Sequence, residues 1–369
     1  MHMIDPRAKK LADVLVNYST RVKPGDWVII QGDLVTAPML QEIYRSVLQA
    51  GGHPNVMFGN NELAEIFYKE ASDDQLQWLS PMQRMVYGEA DVLISLGGTS
   101  NTRILANVDP ARISMAQGAR REIMQTYMQR SAAGELRWVG SMFPTNANAQ
   151  EADMSLSDYE DFVYGATFAD RDDPVAEWQK IHDQQQVVVD WLRGRKRLTA
   201  KGPHLDLEMS IEGRLFINSD GRNNMPSGEV FTGPVEDSVN GWVEFTYPAI
   251  YLGREIEDVR LVFKDGKVVE ASAAKNEETL LAQLEIDEGA RYVGEFAIGT
   301  NYGVQTFTKH MLFDEKMGGT VHLALGASIG ETLGRNQSAI HWDMLCDVKE
   351  DSEIRVDGDL LYKDGKFAI

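Results

Sequence analysis

Cysteine is almost missing from this chain: Cys346 is the only one in 369 residues. An internal disulfide is therefore excluded, which fits a reducing compartment better than a secreted one. Positive charge is also scarce. Thirty-six Lys and Arg against 56 Asp and Glu give a net charge of −20, and a surface that negative repels phosphate backbones and anionic lipid headgroups. Neither nucleic acid nor a membrane surface is an expected partner. No run of about 18 apolar residues occurs that would span a bilayer. The opening residues MHMIDPRAKKLADVL carry Asp5, Arg7, Lys9 and Lys10 where a signal peptide needs an apolar segment. The expected location is the cytoplasm. Three familiar signatures are absent as well: Gly-x-Gly-x-x-Gly and the P-loop, which cradle phosphates, and His-Glu-x-x-His, the helix of single-zinc peptidases.

What the chain does have is 43% hydrophobic and 25% charged residues, enough for a large core and for about two domains at roughly 150 residues each. As far as about Tyr164, short apolar runs at 27–30, 55–58, 92–96 and 137–142 alternate with helical periodicity at 37–50 and 111–133. Leu40, Ile43, Tyr44 and Leu48 form one such helical stripe. This alternation is the signature of α/β layering around a parallel sheet. A long helix is expected over 174–197, stopped by Gly202 and Pro203. Beyond it the period changes to two, at 204–209, 214–217, 242–247 and 259–263. The closing segment 354–367 carries Asp357-Gly358 and Lys363-Asp364-Gly365 as hairpin turns. The expected organisation is an α/β domain over 1–200 and a strand-rich α+β domain over 201–369, with one helical insert at 277–285.

The second domain holds His204, His310, His322 and His341, and imidazole is both the commonest metal ligand and the usual base near neutral pH. In His341-Trp342-Asp343 the first and third residues share one face of a strand, so a nitrogen and a carboxylate oxygen can grip one cation. A bare His-x-Asp is common, and an imidazole paired with a carboxylate is the plainer alternative. His322 follows a glycine turn inside the apolar run Thr320-Val321-His322-Leu323-Ala324-Leu325. There it is either a hydrogen-bonded core histidine or a ligand. Glu229 in Ser227-Gly228-Glu229-Val230-Phe231 and Glu295 in Gly294-Glu295-Phe296-Ala297 sit among apolar and glycine residues. A buried carboxylate needs a cation beside it or keeps its proton. Two glutamates, two histidines and Asp343 together suit a pair of divalent ions.

Two competing nucleophiles fare worse. Gly326-Ala327-Ser328-Ile329-Gly330 matches the Gly-x-Ser-x-Gly elbow and follows a strand, but no histidine occurs after His341, so the Ser, acid, His order of that triad fails. Cys346 lies in an apolar strand beside Asp347, where a thiolate is disfavoured.

The segments Gly228-Glu229-Val230-Phe231-Thr232-Gly233-Pro234, Gly294-Glu295 with Gly299-Thr300-Asn301, 312–322 (Leu-Phe-Asp-Glu-Lys-Met-Gly-Gly-Thr-Val-His) and 336–343 (Asn-Gln-Ser-Ala-Ile-His-Trp-Asp) occur in an order that resembles the M29 metallo-aminopeptidases over essentially the whole chain. The resemblance implies a homodimer, an α/β N-terminal domain and a C-terminal domain enclosing two divalent metal ions per chain (Zn, Co, Mn or Mg). It assigns Glu229, Glu295, His322, His341 and Asp343 as their ligands. Family members often carry a tyrosine seven residues after the first histidine; Ile329 stands there in this chain. Tyr302 and Ser328 are the hydroxyls expected to take over its role.

The expected reaction is release of N-terminal amino acids from peptides with a free N-terminus. Two ions would activate a bridging hydroxide, polarise the scissile carbonyl and anchor the α-amine, with Glu295 carrying the proton to the leaving amine. Two rivals remain. A mononuclear non-haem iron ring-cleaving dioxygenase needs only two His and one carboxylate, and a non-catalytic binding homologue is suggested by Ile329.

Overall fold

The computed structural model describes residues 5–251 and 253–369. It resolves into two compact units. One runs to Ala176 and takes in Gly221–Met225; the other comprises Glu177–Asp220 and Pro226–Ile369. The division falls earlier than the boundary near residue 200 because the long helix packs Val188 and Leu192 into the core of the second unit.

The first unit is built on a parallel sheet in the order His53–Gly59, Trp27–Asp33, Val92–Gly97, Arg137–Met142 and Asn224–Met225. Each of the four apolar runs read from the sequence is one of its strands. The helix Ala37–Gln49 buries Leu40 and Ile43 of the stripe read from the sequence, but Met39 and Val47 complete the buried face and Tyr44 and Leu48 are exposed. The helical stretch expected over 111–133 is instead two helices, Pro110–Ala119 and Arg121–Ala132, parted where Arg120 leaves helical geometry with φ −80° and ψ 1°. Only Ala116 and Ile123 are buried along both, so no continuous apolar face holds one straight helix together.

From Glu177 on, the helix Pro174–Leu192 belongs to the second unit. It stops before its basic run because Gly194 takes φ +78° and Arg197 already pairs with Ser210 in a strand. An antiparallel eight-stranded sheet follows, in the order Lys267–Ser272, Arg260–Lys264, Asn240–Glu244, Leu205–Ser210, Arg197–Gly202, Glu353–Val356, Asp359–Lys363 and Lys366–Phe367. Asp357 and Gly358, both at positive φ, make the hairpin turn expected of an Asp-Gly pair. Of the expected strand 214–217 only Ile217 is in register, in Ile217–Ser219.

A second antiparallel sheet has five strands. Its order is His341–Asp347, Thr320–Gly326, Val293–Gly299, Glu229–Thr232 and Ile217–Ser219. Residues directly opposite one another in antiparallel strands share a face, and faces alternate along each strand. Val230, Phe296, Ile298, Val321, Leu323, Leu325, Trp342, Met344 and Cys346 all lie in one buried apolar cluster. The register therefore commits the alternate residues to the opposite face. Among the described residues no helix is long and apolar enough to cross a membrane.

Candidate metal centre

The opposite face of this sheet carries every side chain the sequence proposed as a ligand. Glu295 stands opposite Ala324, which stands opposite Asp343; Ala297 stands opposite His322; Gly326 stands opposite His341; and Gly299 stands opposite Glu229. Four strands thus deliver five donors to one patch. Glycine makes the approach possible. Gly228, just before Glu229, takes φ +114°, and a Cβ there would stand 2.8 Å from the Cβ of Asn301. A Cβ on Gly294, just before Glu295, would stand 2.4 Å from the carbonyl oxygens of both Gly326 and Ala327.

His322 Nε2 lies 3.3 Å from Glu295 Oε1, 3.5 Å from Glu229 Oε2 and 4.0 Å from Asp343 Oδ1. His341 Nε2 lies 3.5 Å from both Glu295 Oε2 and Asp343 Oδ1. Glu295 therefore turns one oxygen to each imidazole. The other nitrogen of His341, Nδ1, is 2.8 Å from the carbonyl oxygen of Ala327; as a donor to that oxygen it turns Nε2 toward Glu295 and Asp343. Glu229, Glu295 and Asp343 are buried, as is His322 at 1% exposure.

Two further groups, which the sequence did not single out, enter this cluster. Ligand atoms of Glu315, His322 and Asp343 all lie within 4.8 Å of one another, as do those of Glu229, Glu295 and His322. Lys316, 1% exposed, places Nζ 2.5 Å from Glu229 Oε1 and donates also to Glu315. The short helix Met311–Asp314 positions both. Both lie in the 312–322 segment that carries the family resemblance, but three successive charged residues, Asp314-Glu315-Lys316, do not by themselves mark a buried site.

The electrostatics follow from burial against like and unlike charge. Burial alone would push the His322 imidazole down, but Glu295, Glu229 and Asp343 outweigh it and hold it up at about 9. His341 is held at about 10, chiefly by Asp343, against its own desolvation. Burial raises Glu295 despite His322. It also lifts Glu315 to about 7, opposed by Lys316. Asp343 is lowered because His341, His322 and Lys316 overcome its burial, and Lys316 stays charged because Glu229 and Glu315 overcome its own. Four carboxylates, Glu229, Glu295, Glu315 and Asp343, share this cluster with the Lys316 ammonium and the two imidazoles. Glu229 Oε2 and Asp343 Oδ1 are buried without hydrogen-bond partners, which is costly unless something positive sits between them. The mixture of carboxylate oxygen and imidazole nitrogen fits divalent ions.

Comparison with known proteins settles the kinship. The profile of the thermophilic metalloprotease (M29) family matches residues 4–367. The chain belongs to that family. Aminopeptidase 2 of Geobacillus stearothermophilus is 28% identical over 99% of this M29 chain and 96% of its own length. Aminopeptidase T of Thermus thermophilus is 26% identical over 97% and 95%. The solved structure of wild-type AmpT from Thermus thermophilus superposes with a TM-score of 0.86 at 23% identity, covering 98% of this chain and 99% of that one. A 2,5-dihydroxypyridine dioxygenase from Pseudomonas putida KT2440 shares the fold at a TM-score of 0.61 and 12% identity, covering 99% and 98%.

The hydroxyls expected to replace the family tyrosine are placed elsewhere in the M29 chain. Tyr302 donates its hydroxyl to the carbonyl oxygen of Gly365 at 2.6 Å, and its ring lies over Gly318. Ser328 Oγ is buried without a hydrogen-bond partner and faces Gly334. Among the described residues, no hydrogen bond or ion pair joins either one to the five donors. Ile329 leads into the single turn Gly330–Thr332.

Proposed function

We propose that this protein is an aminopeptidase that uses divalent metal to release N-terminal amino acids from peptides. The observation that carries this reading is the convergence of Glu229, Glu295, His322, His341 and Asp343 on one sheet face, with buried oxygens of Glu229 and Asp343 lacking hydrogen-bond partners. The aminopeptidase names of relatives spanning nearly the whole chain point the same way.

Two ions are the arrangement that uses these donors best. Glu229, Glu295 and His322 would hold one ion, and Glu295, His341 and Asp343 would hold the other, with Glu295 between the two imidazoles. When bound, such ions lower the pKa of water between them and polarise a carbonyl. Glu295, with both oxygens engaged, is less suited to moving a proton than the sequence suggested. Glu315, pushed up to about 7 by burial and within 4.8 Å of ligand atoms of His322 and Asp343, can accept a proton from the attacking water and pass it to the leaving amine. The acidic cluster also attracts the cationic α-amine of a peptide. A homodimer and a cytoplasmic location complete the proposal; light scattering of the purified chain and fractionation of cells check them.

The decisive experiment strips the protein with EDTA and restores cleavage of leucyl anilide with Zn, Co, Mn or Mg one at a time, against an N-acetylated control. Cleavage that survives stripping, or that ignores acetylation, would overturn the reading. The dioxygenase fold likeness motivates one parallel measurement: oxygen uptake with a single iron per chain would transfer the protein to that class. Metal binding with no cleavage of any aminoacyl substrate would make it a binding homologue.

A further inference from the structure

Lys316 is the charge in the centre that the ligand set does not explain. Its ammonium is buried among carboxylates, 2.5 Å from Glu229 Oε1 and bonded also to Glu315. Among the described residues Lys316 bonds Glu229 and Glu315 but none of Glu295, His341 and Asp343; its charge reaches Asp343 as well, but repulsion of an ion is strongest at the position served by the ligand it touches, because Coulomb repulsion falls with distance. The orientation of the two imidazoles differs in the same direction. His341 is held by its Nδ1 on the Ala327 carbonyl, whereas His322 Nδ1 is buried without a partner. An imidazole whose second nitrogen is anchored binds metal more tightly than one without that anchor.

We infer that the two cation positions are inequivalent: the one formed by Glu295, His341 and Asp343 holds its ion tightly, and the one formed by Glu229, Glu295 and His322 is kept weak and exchangeable by the Lys316 ammonium. The inference rests on the two-ion reading above. It makes Lys316 a positioning residue that sets metal occupancy. It also gives the centre a resident ion and a second ion whose presence follows the supply of free metal.

The test is a titration of the stripped full-length protein with cobalt(II), followed by visible absorption and by metal content after gel filtration in a chelator-buffered solution. The wild type takes up one ion about a hundredfold more tightly than the next, the order of effect expected from one buried charge. In Lys316→Met the second affinity rises until the two lie within about tenfold. His341→Ala loses the tight ion, and His322→Ala keeps it. Two equally tight ions in the wild type, an unchanged second affinity in a folded Lys316→Met, or a tight ion retained by His341→Ala would each overturn the inference. Should Lys316→Met fail to fold by circular dichroism, the wild-type titration and the two histidine variants decide it. Stepwise cobalt binding without peptide cleavage would sink the aminopeptidase reading and leave this inference standing, whereas a wild type that binds no ion removes both.

Discussion

Glu295 and Asp343 stand in one cross-strand row with only Ala324 between them. Ala324 is fully buried and projects from the same face as both carboxylates, so the size of this one side chain sets the room available to a cation. Ala324→Leu should drop metal content and lower kcat/KM by more than about a hundredfold, with about 1–3 kcal/mol lost from overpacking. Metal analysis of the folded variant checks it, and normal metal content would show that the row does not frame the site.

Gly294 carries a second constraint. A methyl group there meets the carbonyl oxygen of Ala327 at 2.4 Å, the same oxygen that holds the His341 ring. Gly294→Ala should therefore cost stability, roughly 2 kcal/mol or more, and also weaken metal retention through His341. Thermal melting with and without cobalt separates the two effects: the stabilisation by metal should shrink along with the metal-free Tm.

The hydroxyls of Tyr302 and Ser328 lie outside the donor cluster, so Tyr302→Phe and Ser328→Ala should leave kcat within about twofold, less than the loss of a proton-transfer group costs. Tyr302→Phe should nevertheless cost about 1 kcal/mol in stability, because the Gly365 carbonyl loses its donor. A kcat that collapses in either variant would return that hydroxyl to the chemistry.

Burial pushes the Cys346 thiol up to about 12. A raised thiol pKa keeps the group protonated at every pH below that value, so at pH 8 the reactive thiolate is scarce as well as inaccessible. Iodoacetamide should leave the native protein unlabelled over hours and modify it rapidly in guanidinium. Fast labelling of the folded chain would contradict the strand's placement.

Much of this was legible because it is local. The runs at 27–30, 55–58, 92–96 and 137–142 became adjacent parallel strands, since short β-rich stretches alternating with amphipathic helices have few other ways to bury both faces. The helix expected over 174–197 ends at Leu192 because a basic run is compatible with a helix until Gly194 and the pairing of Arg197 with Ser210 intervene, and that pairing is a contact with another strand. The same holds for 111–133, where polar periodicity gave no sign of the break at Arg120.

The sequence by itself determined which carboxylates and imidazoles are out of place in apolar strands, and the period of two along Thr320–Gly326 and His341–Asp347 already commits His322, His341 and Asp343 to consistent faces. Only the tertiary structure decided what joins them. Whether Lys316 points to water or into the acidic patch, and whether Tyr302 reaches that patch or the Gly365 carbonyl, depends on strand register and on the turn made by Met311–Asp314. Those are fixed by packing between residues far apart in the chain, where no local pattern records the outcome.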